Sequence, residues 1–344
     1  MNALVLLLLL GGEGDFWTRT LARSPEVERW LLEGDQRLQM RGEEHLREAE
    51  AAFAEAVRLA PRDPRARREH AGSLVELDRY AEALSEWRAV RALDQKLDAG
   101  QVASGIGVCL AHLGEHAAAA QEYRRALDAR EGVSFAIVHW NLGDVEMALG
   151  HVDEALRQYQ LAAAAAAGAA PDSALAQEAA VIDLALAVAY DRLEDDAKAR
   201  AQARRAVSRN VLRVLATQSK IFFVPPEDRA YSVALAHEAA GERVSALEQW
   251  TEYLRAAPHG PWLARARGHL DALMSEPVRA GSAPSELGKC VVGRRVVADV
   301  RLQGTGVTPV IRIFPAELAP EVRPCLDTAA RRIGGTAHYQ LVGK

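Results

Sequence analysis

One stretch constrains this chain more than any other. Between Phe135 and Ala169 it reads as a helical hairpin with a fixed pattern of small residues. Gly143 sits within the first helix and Gly150 marks the turn. Ala155, Tyr159 and Ala162 then fall at i, i+4 and i+7 on one face of the second helix. Gly143 and Ala155 let two antiparallel helices approach closely, and Tyr159 plugs the space beside them. The pattern recurs. About 36 residues earlier stand Gly107, Gly114, Ala119, Tyr123 and Ala126. A unit before that holds Ala71, Leu74, Tyr80, Ala83, Trp87 and Val90, and the first holds Ala49, Phe53, Ala56 and a closing Pro61. Trp30 lies on the first helix of that unit, ahead of a loop around Gly42. Downstream, Ala187, Tyr190, Ala199, Ala203 and Ala206 form a degenerate unit, and Gly241, Ala246, Trp250, Tyr253 and Pro258 a last one. A lone hairpin cannot bury its apolar face; about six in register, over Trp30–Gly260, can.

These residues and their spacing resemble the tetratricopeptide repeat, whose unit is about 34 residues long. The resemblance implies an all-α solenoid of helix pairs, with the first helix of each pair lining a concave groove. Mapped unit by unit, the groove would show Arg65 and Arg68, then Gln101, Ser104, Val108 and Ala111, then Ile137, Trp140, Asp144 and Met147. Leu184, Val188 and Asp191 follow, and finally Tyr231, Leu235 and Glu238. The residues expected to touch a partner are Arg68, Ser104, Val108, Ile137, Trp140, Asp144, Met147, Leu184 and Tyr231. An exposed Trp140 and Met147 would suit an extended peptide or a partner helix. The clamp that some family members use for C-terminal carboxylates needs lysines and asparagines here. Gly72 and the apolar residues break that pattern.

The flanks read differently. Met1–Leu10 is an apolar run, too short to span a bilayer; it is expected to be a secretory signal, or else a buried N-terminal helix. Asp15–Met40 has helical spacing. The Leu161–Ala170 run lengthens a second helix until Pro171, and Asp172 or Ser173 can cap the next. Ser219–Asp228 breaks the period with an apolar cluster, Ile221, Phe222 and Phe223, then two prolines and two acids suited to a helix start. Trp262–Met274 reads as an amphipathic helix capping the array. The expected division is therefore an N-terminal segment over 1–14, a solenoid over 15–275, a linker over 276–288 rich in Pro, Ser, Gly and Ala, and a small module over 289–344.

In that module the period changes to two. Val296–Leu302 and Val310–Phe314 read as a hairpin across a glycine turn, Pro320–Ile333 as a helix ended by Gly334–Gly335, and Thr336–Val342 as a strand. The order is β-β-α-β, a small α+β unit. Cys290 before the hairpin, the glycine turn, Cys325 on the helix and the closing strand resemble TonB-like C-terminal domains of myxobacterial envelope and gliding-motility proteins; the resemblance implies a possible envelope component as partner. Cys290 stands at a strand start and Cys325 on the apolar helix face beside Leu326 and Ala329, so a disulfide is expected in an oxidising compartment. The alternative is two free thiols in a cytoplasmic protein.

Little chemistry competes with a binding role. His112-Leu-Gly-Glu115-His116 matches a metalloprotease pattern, but Gly114 falls at an interhelix turn and parts the two histidines. His112 is then expected to line the groove and His116 to sit in the turn. The glycines near Lys289 lack phosphate-loop spacing, and Val102 spoils a nucleophile elbow around Ser104. Cys109 reads as a small core residue. No catalytic residue, metal ligand or cofactor site is expected. The 42 Lys and Arg against 47 Asp and Glu give a net charge of −5, which does not favour nucleic acid. The expectation is a non-catalytic scaffold for a protein partner, without a small-molecule substrate, in the periplasm or cell envelope. A structural envelope component and an enzyme are the alternatives.

Overall fold

The structure is a computed structural model. It describes residues 23–40, 42–93, 98–130, 132–167, 174–217, 221, 223, 225–275, 290, 297–303, 308–314, 319–332 and 338–341. The expectations for Met1–Leu10, the caps at Asp172 and Ser173, Phe222, the linker and the turn glycines of the C-terminal module lie outside these residues.

Helix α1 is Pro25–Gln39, α2 Glu43–Leu59, α3 Pro64–Glu76, α4 Tyr80–Leu93, α5 Ala99–His112, α6 His116–Ala129, α7 Phe135–Ala148 and α8 Val152–Ala165. Then come α9 Ala174–Arg192, α10 Asp196–Ser208, α11 Val211–Thr217, α12 Asp228–Ala240, α13 Arg243–Ala256 and α14 Leu263–Ser275. The C-terminal stretch holds β1 Val297–Gln303, β2 Thr308–Phe314, α15 Ala319–Arg332 and β3 His338–Leu341. Among the described residues no helix is long and apolar enough to cross a membrane. The chain groups into two compact units. One comprises Met1–Ala189 with Val214–Val224, the other Tyr190–Arg213 with Pro225–Lys344.

Local chemistry starts and stops the helices. Ser24 and Asp63 each precede a proline at the first helical turn and cap it, Ser24 Oγ accepting from Val27 N at 3.3 Å and Asp63 Oδ1 from Arg65 N at 2.9 Å. Ser134 caps α7 and Asp195 caps α10 in the same way. Five turns close on one motif. The backbone amides of Arg79, Glu115, His151, Asp195 and Glu242 reach back to the carbonyls of Leu74, Leu110, Glu146, Tyr190 and His237. The residue before each donor is left-handed: Asp78, Gly114, Gly150, Glu194 and Gly241.

In the first unit each pair packs internally and then on the next, α2 on α3, α4 on α5 and α6 on α7. One core cluster joins α1 to α3 through Val27, Leu31, Ala49, Phe53, Ala56 and Ala66. A larger one runs from Ala71 to Val145 around Trp87, Ile106, Tyr123 and Leu142. The small residues work as spacing predicts. A Cβ on Gly107 would come within 2.8 Å of the Tyr123 ring, and one on Gly143 would fall on the Tyr159 ring. Cys109 is fully buried, which pushes its thiol up to about 12.

In the second unit α12, α13 and α14 pack around Trp250, Tyr231 and Tyr253, all buried. Tyr231 meets Trp250 and Tyr253 edge-on at centroid distances of 4.7 and 5.0 Å. The strands form one sheet in the order β1-β2-β3. β1 and β2 are antiparallel, with Val300 opposite Ile311, and β3 runs parallel to β2, with Tyr339 opposite Ile311. The parallel pair requires a crossover, which α15 supplies. Val322, Leu326 and Ala329 of α15 are buried, and Cys325 is bonded to Cys290 with their Cα atoms 5.6 Å apart.

Candidate partner-binding face

The residues expected to meet a partner fall on the first helices of the pairs. Arg68 is on α3, Ser104 and Val108 on α5, Ile137, Trp140, Asp144 and Met147 on α7, and Leu184 on α9, all in the first unit. Tyr231 is on α12 in the second. On α7 the spacing of Ile137, Trp140, Asp144 and Met147 places them along one face.

Exposure corrects the sequence expectation. Trp140 is 7% and Met147 4% exposed, so neither stands free in solvent. The reason is legible in α5 and α7 themselves. Both are apolar or small around nearly their whole circumference, and a helix hydrophobic all round is buried all round. Ser104, Val108, Ile137 and Leu184 are buried too, and Asp144 alone of the nine keeps partial exposure. Its Oδ1 accepts the Tyr159 hydroxyl at 2.7 Å, so the plug of the second helix is tied to the face of the first.

The α3 end of this face is charged and internally paired. Arg68 donates to Glu69 at 2.8 Å and to Asp98 at 2.9 Å, and Asp98 is the residue that opens α5. Arg65 reaches Asp35 of α1 at 2.9 Å. Burial and the neighbouring Glu69 carboxylate lift Asp35 to about 6 against the pull of Arg65. Glu178, at the other end on α9, is buried with neither carboxylate oxygen hydrogen-bonded, and burial pushes it up to about 7.

Two expected placements differ in kind. Tyr231 is fully buried, and its hydroxyl donates to Asp191 Oδ2 at 2.5 Å; it holds the second unit together instead of presenting a surface. His112 ends α5 and stacks on the Tyr80 ring of α4 at 3.7 Å, so it packs between helices and does not line the face. Burial lowers its pKa to about 4. His116 begins α6, across the left-handed Gly114, so the two histidines stand on different helices.

Sequence reasoning also missed a polar knot in the second unit. Asp191 accepts from Tyr231, from Arg265 Nη2 at 2.6 Å and from His269 Nε2 at 2.9 Å. The other nitrogen of His269 lies 3.0 Å from Glu238, whose carboxylate also takes the Trp250 indole N–H, and the His269 ring stacks on Trp250 at 4.6 Å. Burial opposes the His269 cation, yet the two carboxylates outweigh it and raise it to about 9. Burial likewise opposes the Asp191 anion, and the donors from His269 and Arg265 pull it down to about 2. Beside it Arg192 pairs with Asp228 at 2.6 Å and lies over the Tyr231 and Trp262 rings. These partners are up to 78 residues apart, so no local spacing announces them.

Repeated helix pairs, closed by the same turn and spaced by glycine against tyrosine, decide the fold. It is the tetratricopeptide-repeat fold. A solved structure agrees at that level. The chain is similar to a chain of the APC/C hetero-tetramer Cut9-Hcn1, at 17% identity over 78% of this chain and 46% of that one, with a TM-score of 0.50. It is also similar to PilW, a widely conserved type IV pilus biogenesis factor, at 14% identity over 74% and 100% of the two chains with a TM-score of 0.47. PilF of Pseudomonas aeruginosa gives 15%, 72%, 97% and 0.46. No family model and no curated protein matches the sequence. At such identities the likeness of these tetratricopeptide-repeat pairs is one of fold alone.

Proposed function

We propose that this chain is a non-catalytic scaffold that holds a peptide or helix of a protein partner along the first helices of its repeat pairs. The face would comprise Arg68, Ser104, Val108, Ile137, Trp140, Asp144, Met147 and Leu184. The observation that carries the reading is on α7, where a partly exposed Asp144 stands between the large apolar side chains of Trp140 and Met147. The exposed part of Asp144 offers a partner a point of orientation, held in place by the buried apolar groups beside it. A periplasmic or cell-envelope location is part of the proposal, supported by the Cys290–Cys325 bond, which persists in oxidising compartments.

A photo-crosslinking side chain at position 144 tests it, with the exposed Leu161 of α8 as the control position. The first should capture a discrete protein from the native source and the second should not. Trp140→Ala should weaken that capture by about 2 kcal/mol or more while helical content is retained. Equal capture from both positions would move the partner to another face.

A further inference from the structure

The second helices of the first unit carry a separate feature. A cleft of about 510 Å³ is lined by Arg88, Arg91 and Ala92 of α4 and Arg125 of α6. Glu122 of α6 is buried beside these arginines and holds two of them. Arg91 Nη1 lies 2.9 Å from both of its oxygens, and Arg125 Nη1 lies 2.7 Å from Oε1. Arg124, the next residue along, turns instead to Glu146 of α7. Arg88 is exposed and has no acidic partner among the described residues. Two of the three guanidiniums therefore share one carboxylate, and among the described residues the cleft sets three positive charges against one negative charge, on a chain whose net charge is −5.

We propose that this cleft binds an acidic segment of a protein partner, with Arg88 taking one side-chain carboxylate directly. Arg125, whose side chain is 60% exposed, shares its remaining donors between Glu122 and a second one. Glu122 acts as the positioning group: it fixes Arg91 and Arg125 in a fork already matched to a carboxylate. The cleft is shallow and open, which suits side chains of a polypeptide better than an enclosed small molecule. Among the described residues the lining has no aromatic ring on which a base could stack, which favours acidic side chains over a nucleic acid. This site stands on the second helices and is independent of the face proposed above.

The test is fluorescence anisotropy of a labelled oligoglutamate peptide titrated into the full chain. Saturable binding is expected even though the net charge of the chain repels the peptide, and it should weaken as salt rises. Arg88→Gln, which disturbs no described ion pair, should weaken binding about fivefold, and Arg88→Gln with Arg125→Gln at least about tenfold. Arg157→Gln, an exposed arginine of α8 paired with Glu154, should leave it unchanged. Absence of saturable binding, an equal loss in the Arg157 variant, or tighter binding of an oligothymidine than of the peptide would each overturn the proposal.

Discussion

At the scale of the residue, two glycines of one hairpin have opposite reasons to be glycine. Gly150 is left-handed, with φ of +81°, and nothing lies within 4 Å of where a Cβ would stand. Gly143 has ordinary helical geometry and no room, because Tyr159 fills the place of its side chain. Gly150→Ala should therefore cost only backbone strain, about 1 kcal/mol. Gly143→Ala must displace a ring held by Asp144 and should cost more, roughly 2–3 kcal/mol. Urea midpoints of the two variants check the order, and a Gly143 variant as stable as wild type would refute the spacing role. Gly143 and Tyr159 were legible in the sequence because small and large residues faced each other at a fixed period. Asp78 and Glu194 were not. They take the same left-handed place as Gly150 in other turns, and nothing in those side chains announces a positive φ.

At the scale of the element, α14 is fastened by charge as well as by apolar contact. His269 and Arg265 of this helix both reach Asp191. The His269 pKa rises on folding from an ordinary 6.5 to about 9, so its contribution is fully present below pH 6.5 and is lost as pH climbs through 9. Asp191 is lowered from 3.8 to about 2, so its share is present above 3.8 and is lost as pH falls through 2. The anchor is therefore strongest between these limits. His269→Gln should lose roughly 2 kcal/mol at pH 6 and almost nothing at pH 9.5. Amide exchange of α14 against pH reports this, and a pH-independent difference between the two proteins would sink it. The helix itself could be read from the apolar spacing of Trp262–Met274. Its partners could not, since they come from four other helices. The exposure of Trp140 was misjudged for a related reason: family geometry names a face, but only the packing of α7 shows that Trp140 itself is buried.

At the scale of the whole molecule, the two kinds of architecture rest on different ties. The helix pairs of α3–α8 rest on neighbours close in sequence. The C-terminal module is stapled across 35 residues by Cys290–Cys325, the kind of tie that small units gain most from. Reduction should remove roughly 4 kcal/mol from the stapled segment on the chain-entropy model, and little from α3–α8. Hydrogen exchange before and after reductant distinguishes the two regions. Uniform loosening of both would show that the bond stabilises more than its own loop.

The parallel pairing of β2 with β3 has a consequence in time. Each hairpin of α3–α8 can close on itself within microseconds to milliseconds, because its contacts span one short turn. β3 cannot find β2 until α15 has crossed the sheet, and nothing nearer in the chain can hold its place. A ribosome making this chain therefore emits finished helix pairs long before β3 exists, and the C-terminal sheet remains open until β3 has emerged.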